Sequence, residues 1–315
     1  MTSLLNPDSG IIQFINIIEE ITADLHRIEM DDSLHREANF INRADALDFI
    51  DFHILSRLEA LAVSNGEQDR ISRLKQQTEK VRDDLEDTDR RLFEKLREGI
   101  RDSVFNIADL KATIIHYTGH IIENSGSIGY DELDHFINGL LWNGRLPEQT
   151  LAREPGMVHY QKTPARIVFE LERRTLLTCH DVFVDLGSGL GQVVILMGLL
   201  TKARCTGIEY EPAYHCYAEA CAGQLRLSNV HFINVNARDI TYDTGTVFYL
   251  YTSFEGPMLD EILGLLKAQS ETRAIRLFTY GPCSLHVAGK EWLSCKTGDI
   301  NDIYQLCEFN SVMKR

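Results

Sequence analysis

The feature that most constrains this chain is an apolar run that breaks into a glycine-rich turn, VFVDLGSGLGQ at residues 182–192. Its first residues are typical of a buried β-strand, and Gly187, Gly189 and Gly191 follow at alternate positions. Residues 193–200 continue as an apolar helix, whose first N–H groups have no partner within the helix and would face a ligand at the turn. The pattern therefore predicts a strand–turn–helix unit that binds a cofactor against the backbone.

Three side chains around this turn indicate the kind of cofactor. Gln192 stands where a dinucleotide-binding G-x-G-x-x-G turn has Gly or Ala, which disfavours a nicotinamide cofactor. Asp185 lies two residues before the first glycine, where a carboxylate repels a pyrophosphate but attracts an ammonium or a sulfonium. Glu209 follows Gly191 by 18 residues, near the spacing expected of an acid that accepts hydrogen bonds from both ribose hydroxyls. These residues favour a cationic ligand that carries a ribose.

The segment from Asp185 to Gln192 resembles motif I of class I S-adenosylmethionine (SAM) dependent methyltransferases. Further strand-like runs at 205–211 and 230–240 follow in the order that this family shows. The resemblance implies that the cofactor is SAM. The cofactor-binding residues that it implies are Tyr160, Thr163 and Asp185 at the methionine end, Gly187, Gly189, Gly191 and Gln192 in the turn, Glu209 at the ribose and Asp239 at the adenine.

A second stretch, YQKTP at 160–164, is similar to the segment that folds over the methionine end in Dot1-like histone-lysine methyltransferases. By the order of its elements the resemblance covers about residues 157–315. It implies that Tyr251, Thr252 and Ser253, after the fourth strand, face the methyl acceptor. The histone-lysine group has a pair of asparagines at the first two of these positions, and base-methylating relatives have Asn or Asp followed by Pro-Pro and an aromatic residue. This chain has neither pattern.

The distribution of charge along the chain limits the kinds of partner that it can bind. Residues 1–150 contain 16 basic and 29 acidic residues, a net charge of −13, whereas residues 151–315 contain 16 and 18, a net charge of −2. An acidic field repels phosphate backbones, so nucleic acid is disfavoured as a partner.

The seven cysteines show neither a C-x-x-C pair nor a spacing typical of zinc, so no metal site is predicted. With no basic leader before an apolar core and no run of membrane-spanning length, we expect a cytoplasmic protein that does not contact membranes.

Residues 1–150 predict an all-α domain. Apolar residues recur at helical spacing over 11–30, and over 68–106 they alternate steps of three and four, with Thr78 and Thr88 as the two polar positions. This long seam has two interpretations: packing within the chain, or the interface of a coiled-coil homodimer. We favour internal packing, because polar seam residues cost stability and the heptad slips towards its end.

Residues 151–315 alternate between strand-like and helical patterns, which predicts a doubly wound parallel sheet. The strand-like runs are 182–185, 204–209, 230–235, 246–251 and 274–280. Two further runs, 291–296 and 303–310, lack a helical pattern between them and predict a closing hairpin. The predicted fold class is therefore α/β, a Rossmann-like sheet with an antiparallel last strand, preceded by an all-α domain.

The prediction is a SAM-dependent methyltransferase that acts on a small molecule, with the helical residues 1–150 as a lid or substrate platform. In-line methyl displacement needs positioning and desolvation rather than a metal. One alternative is a protein methyltransferase of the lysine type. The other is a non-catalytic interaction protein that keeps the fold as a scaffold, since fold alone does not fix function.

Overall fold

A computed structural model describes residues 7–62, 68–119, 129–142, 144–297 and 299–312. Within these ranges the chain forms two compact units, one of residues 7–96 and 116–119 and the other of residues 97–115 and 129–312. This division falls earlier than the predicted boundary between residues 150 and 151, and the assignment of domains 1–150 and 151–315 stays a prediction. None of the described helices combines the length and the apolar character that a membrane crossing requires.

The first unit is entirely helical in its regular structure. Its elements are α1 (Pro7–Glu29), a 3₁₀ turn (Asp32–His35), α2 (Phe40–Phe49), a π-helical segment (Ile50–Leu55), α3 (Ser56–Ala62) and most of α4 (Gln68–Arg101). The seam of α4 is buried within the single chain, and the Thr78 hydroxyl donates to the Leu74 carbonyl one turn earlier (2.8 Å). A polar seam position is thus satisfied by its own helix. This accords with internal packing, and a homodimer through the helical domain stays a prediction.

A buried ion pair ties α2 to α4 inside the first unit. The Arg43 side chain is fully buried, and its Nε and Nη2 atoms lie 2.7 and 2.6 Å from Asp89 Oδ1. Its Nη1 donates to the carbonyls of Leu34 and Arg36 (2.8 and 2.9 Å). Burying a charge is costly unless it is paired and hydrogen-bonded, so Asp89 is required for this packing.

The second unit is an α/β sheet with helices on its faces. Its helices are the end of α4, α5 (Ile107–Thr118, which the unit boundary crosses), α6 (Glu132–Leu141), α7 (Ala165–Thr175), α8 (Gln192–Leu200), α9 (Pro212–Gln224), α10 (Gly256–Ser270) and α11 (Cys283–Ala288). Its strands are β1 (Val182–Leu186), β2 (Arg204–Glu209), β3 (Val230–Asn234), β4 (Val247–Tyr251), β5 (Arg276–Tyr280), β6 (Leu293–Cys295) and β7 (Cys307–Ser311). The predicted strands are all present.

The strand order is β3-β2-β1-β4-β5-β7-β6, with β1 to β5 parallel and β7 antiparallel to both of its neighbours. This confirms the predicted Rossmann-like fold class, including the closing hairpin. Every residue of α8 is buried, because a helix that is apolar on all sides must be covered on all sides. The order reverses between β1 and β4, and ligands bind beyond the carboxyl ends of strands at such a point.

Removal of the Asp89 carboxylate should destabilise the first unit severely. Asp89→Ala leaves the buried Arg43 cation without its counter-charge, and we expect a loss of about 3–5 kcal/mol in the free energy of unfolding. The matched control is Asp83→Ala, whose carboxylate is 66% exposed and lies 3.7 Å from Arg82; it should change stability by less than about 0.5 kcal/mol. Urea unfolding followed by circular dichroism measures both. Equal midpoints for the two variants would contradict this account.

Candidate functional site

The glycine turn lies directly beyond the carboxyl end of β1. Gly187, Gly189 and Gly191 all have left-handed backbone angles, with φ of 79°, 53° and 85°. A Cβ at Gly189 would overlap the Tyr160 ring, and one at Gly191 would lie 2.7 Å from Ala218 Cβ. Glycine is therefore required here both by conformation and by space. The close approach of neighbouring elements forms a narrow floor of backbone.

Glu209, at the end of β2, holds this turn in place. Its Oε2 atom accepts from Gly189 N (2.7 Å) and its Oε1 atom accepts from Glu211 N (2.8 Å). Burial raises the pKa of the Glu209 carboxyl, and these backbone hydrogen bonds act against that rise. A carboxylate oxygen accepts more than one hydrogen bond, so each oxygen keeps capacity for a hydroxyl donor.

Asp185 is a buried carboxylate to which no described residue donates a hydrogen bond. Burial, with the negative charge of Glu209 second, raises the pKa of Asp185 to about 8. Desolvation and a like charge both disfavour the ionised form. A ligand cation placed beside Asp185 would offset both costs. The residue therefore selects for positive charge at the mouth of the turn.

A hydrogen bond joins the segment before α7 to the start of α8. Gln192 Nε2 donates to the Thr163 carbonyl (2.8 Å), and Thr163 Oγ1 lies 3.2 Å from Tyr249 Oη. The Gln192 Oε1 atom is buried and has no hydrogen-bond partner. Buried polar atoms are rarely left unpaired, so this oxygen is available to a ligand donor.

The loop after β4 turns one of the three predicted acceptor-facing residues away. Tyr251 and Ser253 line the cavity, but the Thr252 hydroxyl donates to the Tyr280 carbonyl (3.3 Å) instead. Thr252 has a φ of 42°, which is rare for a β-branched residue, and its hydroxyl fills the space where a Cβ at Gly281 would lie. The left-handed conformation thus directs Thr252 towards the sheet edge.

One cavity collects most of the predicted site residues, with about 930 Å³ of empty space that includes open solvent. The predicted residues that line it are Tyr160, Thr163, Asp185, Gly187, Gly189, Gln192, Glu209, Tyr251 and Ser253. Gly191, Asp239 and Thr252 do not line it. Gly191 lies on the side of the turn that packs against Ala218. Asp239 is exposed, because the chain after β3 turns so that Val235 and Ala237 reach the cavity instead.

The cavity also includes residues that the sequence patterns did not single out. Tyr214 lies on α9 with its ring 5.6 Å from that of Tyr160, and Tyr249 lies in the middle of the buried strand β4. Glu211 caps α9 by accepting from Ala213 N (3.1 Å) and also accepts from Leu151 N (2.8 Å). Glu211 before Pro212 is a recognisable helix start, so that cap was detectable, whereas Tyr249 reads as ordinary core.

The arrangement can hold a cation beside Asp185, a hydroxyl-bearing group beside Glu209 and a flat group against apolar side chains. Among the described residues, no group of three or more His, Cys, Asp or Glu side chains is placed to hold a metal ion.

Comparison with known proteins finds a family match for the segment that contains the turn. Residues 158–248 match the sequence model of the family described as "Histone methylation protein DOT1". The match spans the Tyr160 segment, the glycine turn and β1 to β3, and it confirms the predicted resemblance to Dot1-like methyltransferases. A search of curated proteins finds no significant match.

Solved structures of methyltransferases are similar to part of the chain. An RNA methyltransferase from Salinibacter ruber in complex with S-adenosyl-L-homocysteine is 19% identical, with a TM-score of 0.40 over 49% of this chain and 95% of that one. A putative methyltransferase from Escherichia coli is 18% identical, with a TM-score of 0.41 over 55% of this chain and 96% of that one. These similarities extend over about half of the chain and say nothing of its substrate.

Gly189→Ala should weaken ligand binding at the turn. The added methyl group would overlap the Tyr160 ring and would occupy a left-handed backbone position, so both the turn and Tyr160 must move. We expect at least a tenfold loss of affinity for S-adenosyl-L-homocysteine, on the order of 1.4 kcal/mol or more. Calorimetric titration measures it. The matched control is Gly264→Ala in α10, where a Cβ meets open space and should stabilise the helix by about 0.5–1 kcal/mol without changing affinity.

Proposed function

We propose that this chain is a SAM-dependent methyltransferase and that its acceptor is a small molecule. The observation that carries the proposal is the pairing of Asp185 with the glycine turn. A buried carboxylate without a protein partner stands where the backbone admits a ligand, and SAM presents an ammonium and a sulfonium. A pyrophosphate at the same place would be repelled by the Glu209 carboxylate and would gain no ion pair from Asp185.

Different residues of the chain bind different parts of the cofactor. Asp185 and the free Gln192 oxygen receive the ammonium, and Glu209 accepts from the ribose hydroxyls while it holds the turn. Tyr160 and Tyr214 both line the cavity and pack against each other, with ring centroids 5.6 Å apart. Val235 and Ala237 provide an apolar surface for the adenine in place of Asp239.

Methyl transfer then needs little from the protein beyond position. SAM, if bound here, would supply an activated methyl group for transfer to a lone pair of the acceptor. Tyr251 and Ser253 face this position from the end of β4, where they orient the acceptor and exclude water. Thr252 acts behind them, by setting the left-handed turn that presents its two neighbours. The helical residues 1–150 would serve as lid or acceptor platform.

The decisive experiment combines binding with a search for methyl acceptors. The chain should bind SAM and S-adenosyl-L-homocysteine more tightly than NAD, and isotope-labelled SAM should label a small molecule in a crude extract. Labelling of a protein band instead would support a protein methyltransferase, the alternative that the Dot1 match favours. Binding without any labelled product would support a scaffold, and tighter binding of NAD would overturn the proposal.

Glu209→Ala should weaken SAM binding by about 1.5–3 kcal/mol, or roughly ten- to a hundredfold, because two hydroxyl hydrogen bonds are lost. It should also loosen the turn, since Gly189 N and Glu211 N lose their acceptor. Titration calorimetry and thermal unfolding measure the two effects. Glu219→Ala is the control, an exposed acid on α9 whose carboxylate lies 3.2 Å from His215. A folded Glu209 variant with the affinity of the wild type would refute the assignment.

SAM binding should release a proton from Asp185. Its pKa of about 8 leaves the carboxyl largely protonated near neutral pH, and a ligand cation favours the ionised form. Affinity should therefore rise with pH by up to about tenfold per unit between roughly pH 6 and 8, and level off above that. Titrations at one pH in buffers of different ionisation enthalpy count the protons.

Asp185→Asn should remove both the proton release and this pH dependence. Asp243→Asn is the matched control, because Asp243 is exposed and distant in the chain from the turn, and it should keep both. Proton-neutral binding by the wild-type chain would contradict the role given to Asp185.

A further inference from the structure

A row of aromatic side chains leads away from the cavity along the carboxyl edge of the sheet. Tyr251, which lines the cavity, is the register partner of Tyr280 on β5, and the two ring centroids lie 4.9 Å apart. Tyr280 Oη in turn lies 3.5 Å from Arg166 Nη2, on the first turn of α7. The row therefore begins at the proposed methyl position and ends at a guanidinium.

Arg166 has unused hydrogen-bonding capacity. Its Nε atom is buried without a partner, and within the described residues no carboxylate lies within 4.0 Å of its guanidinium. Arg174 on the same helix, in contrast, is paired with protein groups. It meets Glu170 (3.2 Å) and Glu308 (3.5 Å) and donates to the Leu306 carbonyl (2.6 Å). A partly buried guanidinium without an anion is costly to keep, so its donors point to a ligand.

In the part of the chain that the structure describes, two other charged side chains lie beside the row, and only the cation among them has an ion-pair partner. Lys162 lies 5.5 Å above the Tyr130 ring, donates to Asn138 Oδ1 and pairs with Asp134 (3.6 Å). The carboxylate of Asp302, whose charge reaches Tyr280, accepts from Tyr304 N (2.9 Å) at the surface. Beside the row, the Arg166 guanidinium is thus a positive charge with no carboxylate within 4.0 Å among the described residues.

From this arrangement we propose that the methyl acceptor carries a carboxylate, which Arg166 and the Tyr280 hydroxyl bind. The inference rests on the proposed function and names its substrate class. The planar guanidinium can donate two parallel hydrogen bonds to a carboxylate, and the adjoining rings of Tyr251 and Tyr280 suit an aromatic or flat acceptor body. A substrate ammonium, as in a lysine side chain, would instead be placed against an unpaired cation. Arg166 is thus a specificity-determining residue.

The test uses three ring-matched probes that differ in charge: benzoate, benzamide and benzylamine. The wild-type chain is first shown to bind S-adenosyl-L-homocysteine, and each probe is then titrated against that complex by ligand-observed NMR. Benzoate should bind roughly tenfold or more tightly than benzamide, and benzylamine should bind most weakly. In a labelled-SAM assay, the acceptor in a small-molecule extract should lie in the fraction that an anion-exchange resin retains.

Arg166→Gln should abolish the preference for benzoate and leave the affinity for S-adenosyl-L-homocysteine unchanged, whereas Arg166→Lys should keep part of it. Arg173→Gln is the matched control, because it removes the same charge from an exposed position of the same helix. It should keep the full preference. Thermal unfolding checks that each variant is folded.

The proposal is overturned if benzamide or benzylamine binds as tightly as benzoate, if none of the three binds, or if Arg166→Gln keeps the preference. Failure of the proposed function has a different signature, which is absence of S-adenosyl-L-homocysteine binding in the wild-type chain. With that binding intact, a negative result with the probes bears on the substrate class alone.

Discussion

The hydrogen bond from Gly189 N to Glu209 Oε2 holds together the part of the molecule on which the site depends. β1 and β2 are neighbouring parallel strands, and the chain leaving β1 folds back so that Gly187 N and Ser188 N both donate to the Ile208 carbonyl (2.9 Å each). Such a reversal is open only to residues that adopt left-handed backbone angles without strain, which is why glycines occupy it. Glu209 then closes the turn against β2. Through that closure the start of α8, the Tyr160 segment and the end of β4 all approach one cavity.

The same closure produces the electrostatic character of the site. Asp185 and Glu209 lie at the ends of adjacent strands and both are buried; burial raises the pKa of each, and the charge of Glu209 makes ionisation of Asp185 harder still. Without a ligand the charge is relieved by protonation of Asp185. With a cationic ligand it is relieved by an ion pair. A site organised in this way discriminates by ligand charge, and its affinity is coupled to pH because ligand and proton compete for one carboxylate.

On the acceptor side, the left-handed backbone of Thr252 and the unpaired guanidinium of Arg166 determine what can bind. Thr252 is held in a left-handed conformation by Gly281, whose missing side chain leaves room for the threonine hydroxyl. That turn presents Tyr251 and Ser253 to the cavity. Backbone strain of this kind persists where surrounding structure over-determines it. Beyond Tyr251, the Arg166 guanidinium has no carboxylate within 4.0 Å among the described residues, and we propose that the substrate supplies one.

What the sequence determined by itself is local. The glycine turn, Asp185 before it and Glu209 after it are set by spacing along one strand–turn–helix–strand unit, and the order of apolar runs predicts the parallel sheet with its antiparallel end, because period and length distinguish strands from helices. What only the tertiary structure decided is the meeting of distant side chains and the direction in which a loop residue points. Arg166 and Tyr280 lie 114 residues apart, and no spacing rule brings them together. The sequence placed Thr252 and Asp239 at the site by position alone; the backbone angle of the first and the turn after β3 direct both elsewhere. Side-chain direction in loops depends on packing against elements remote in the chain, and that packing is absent from any local pattern.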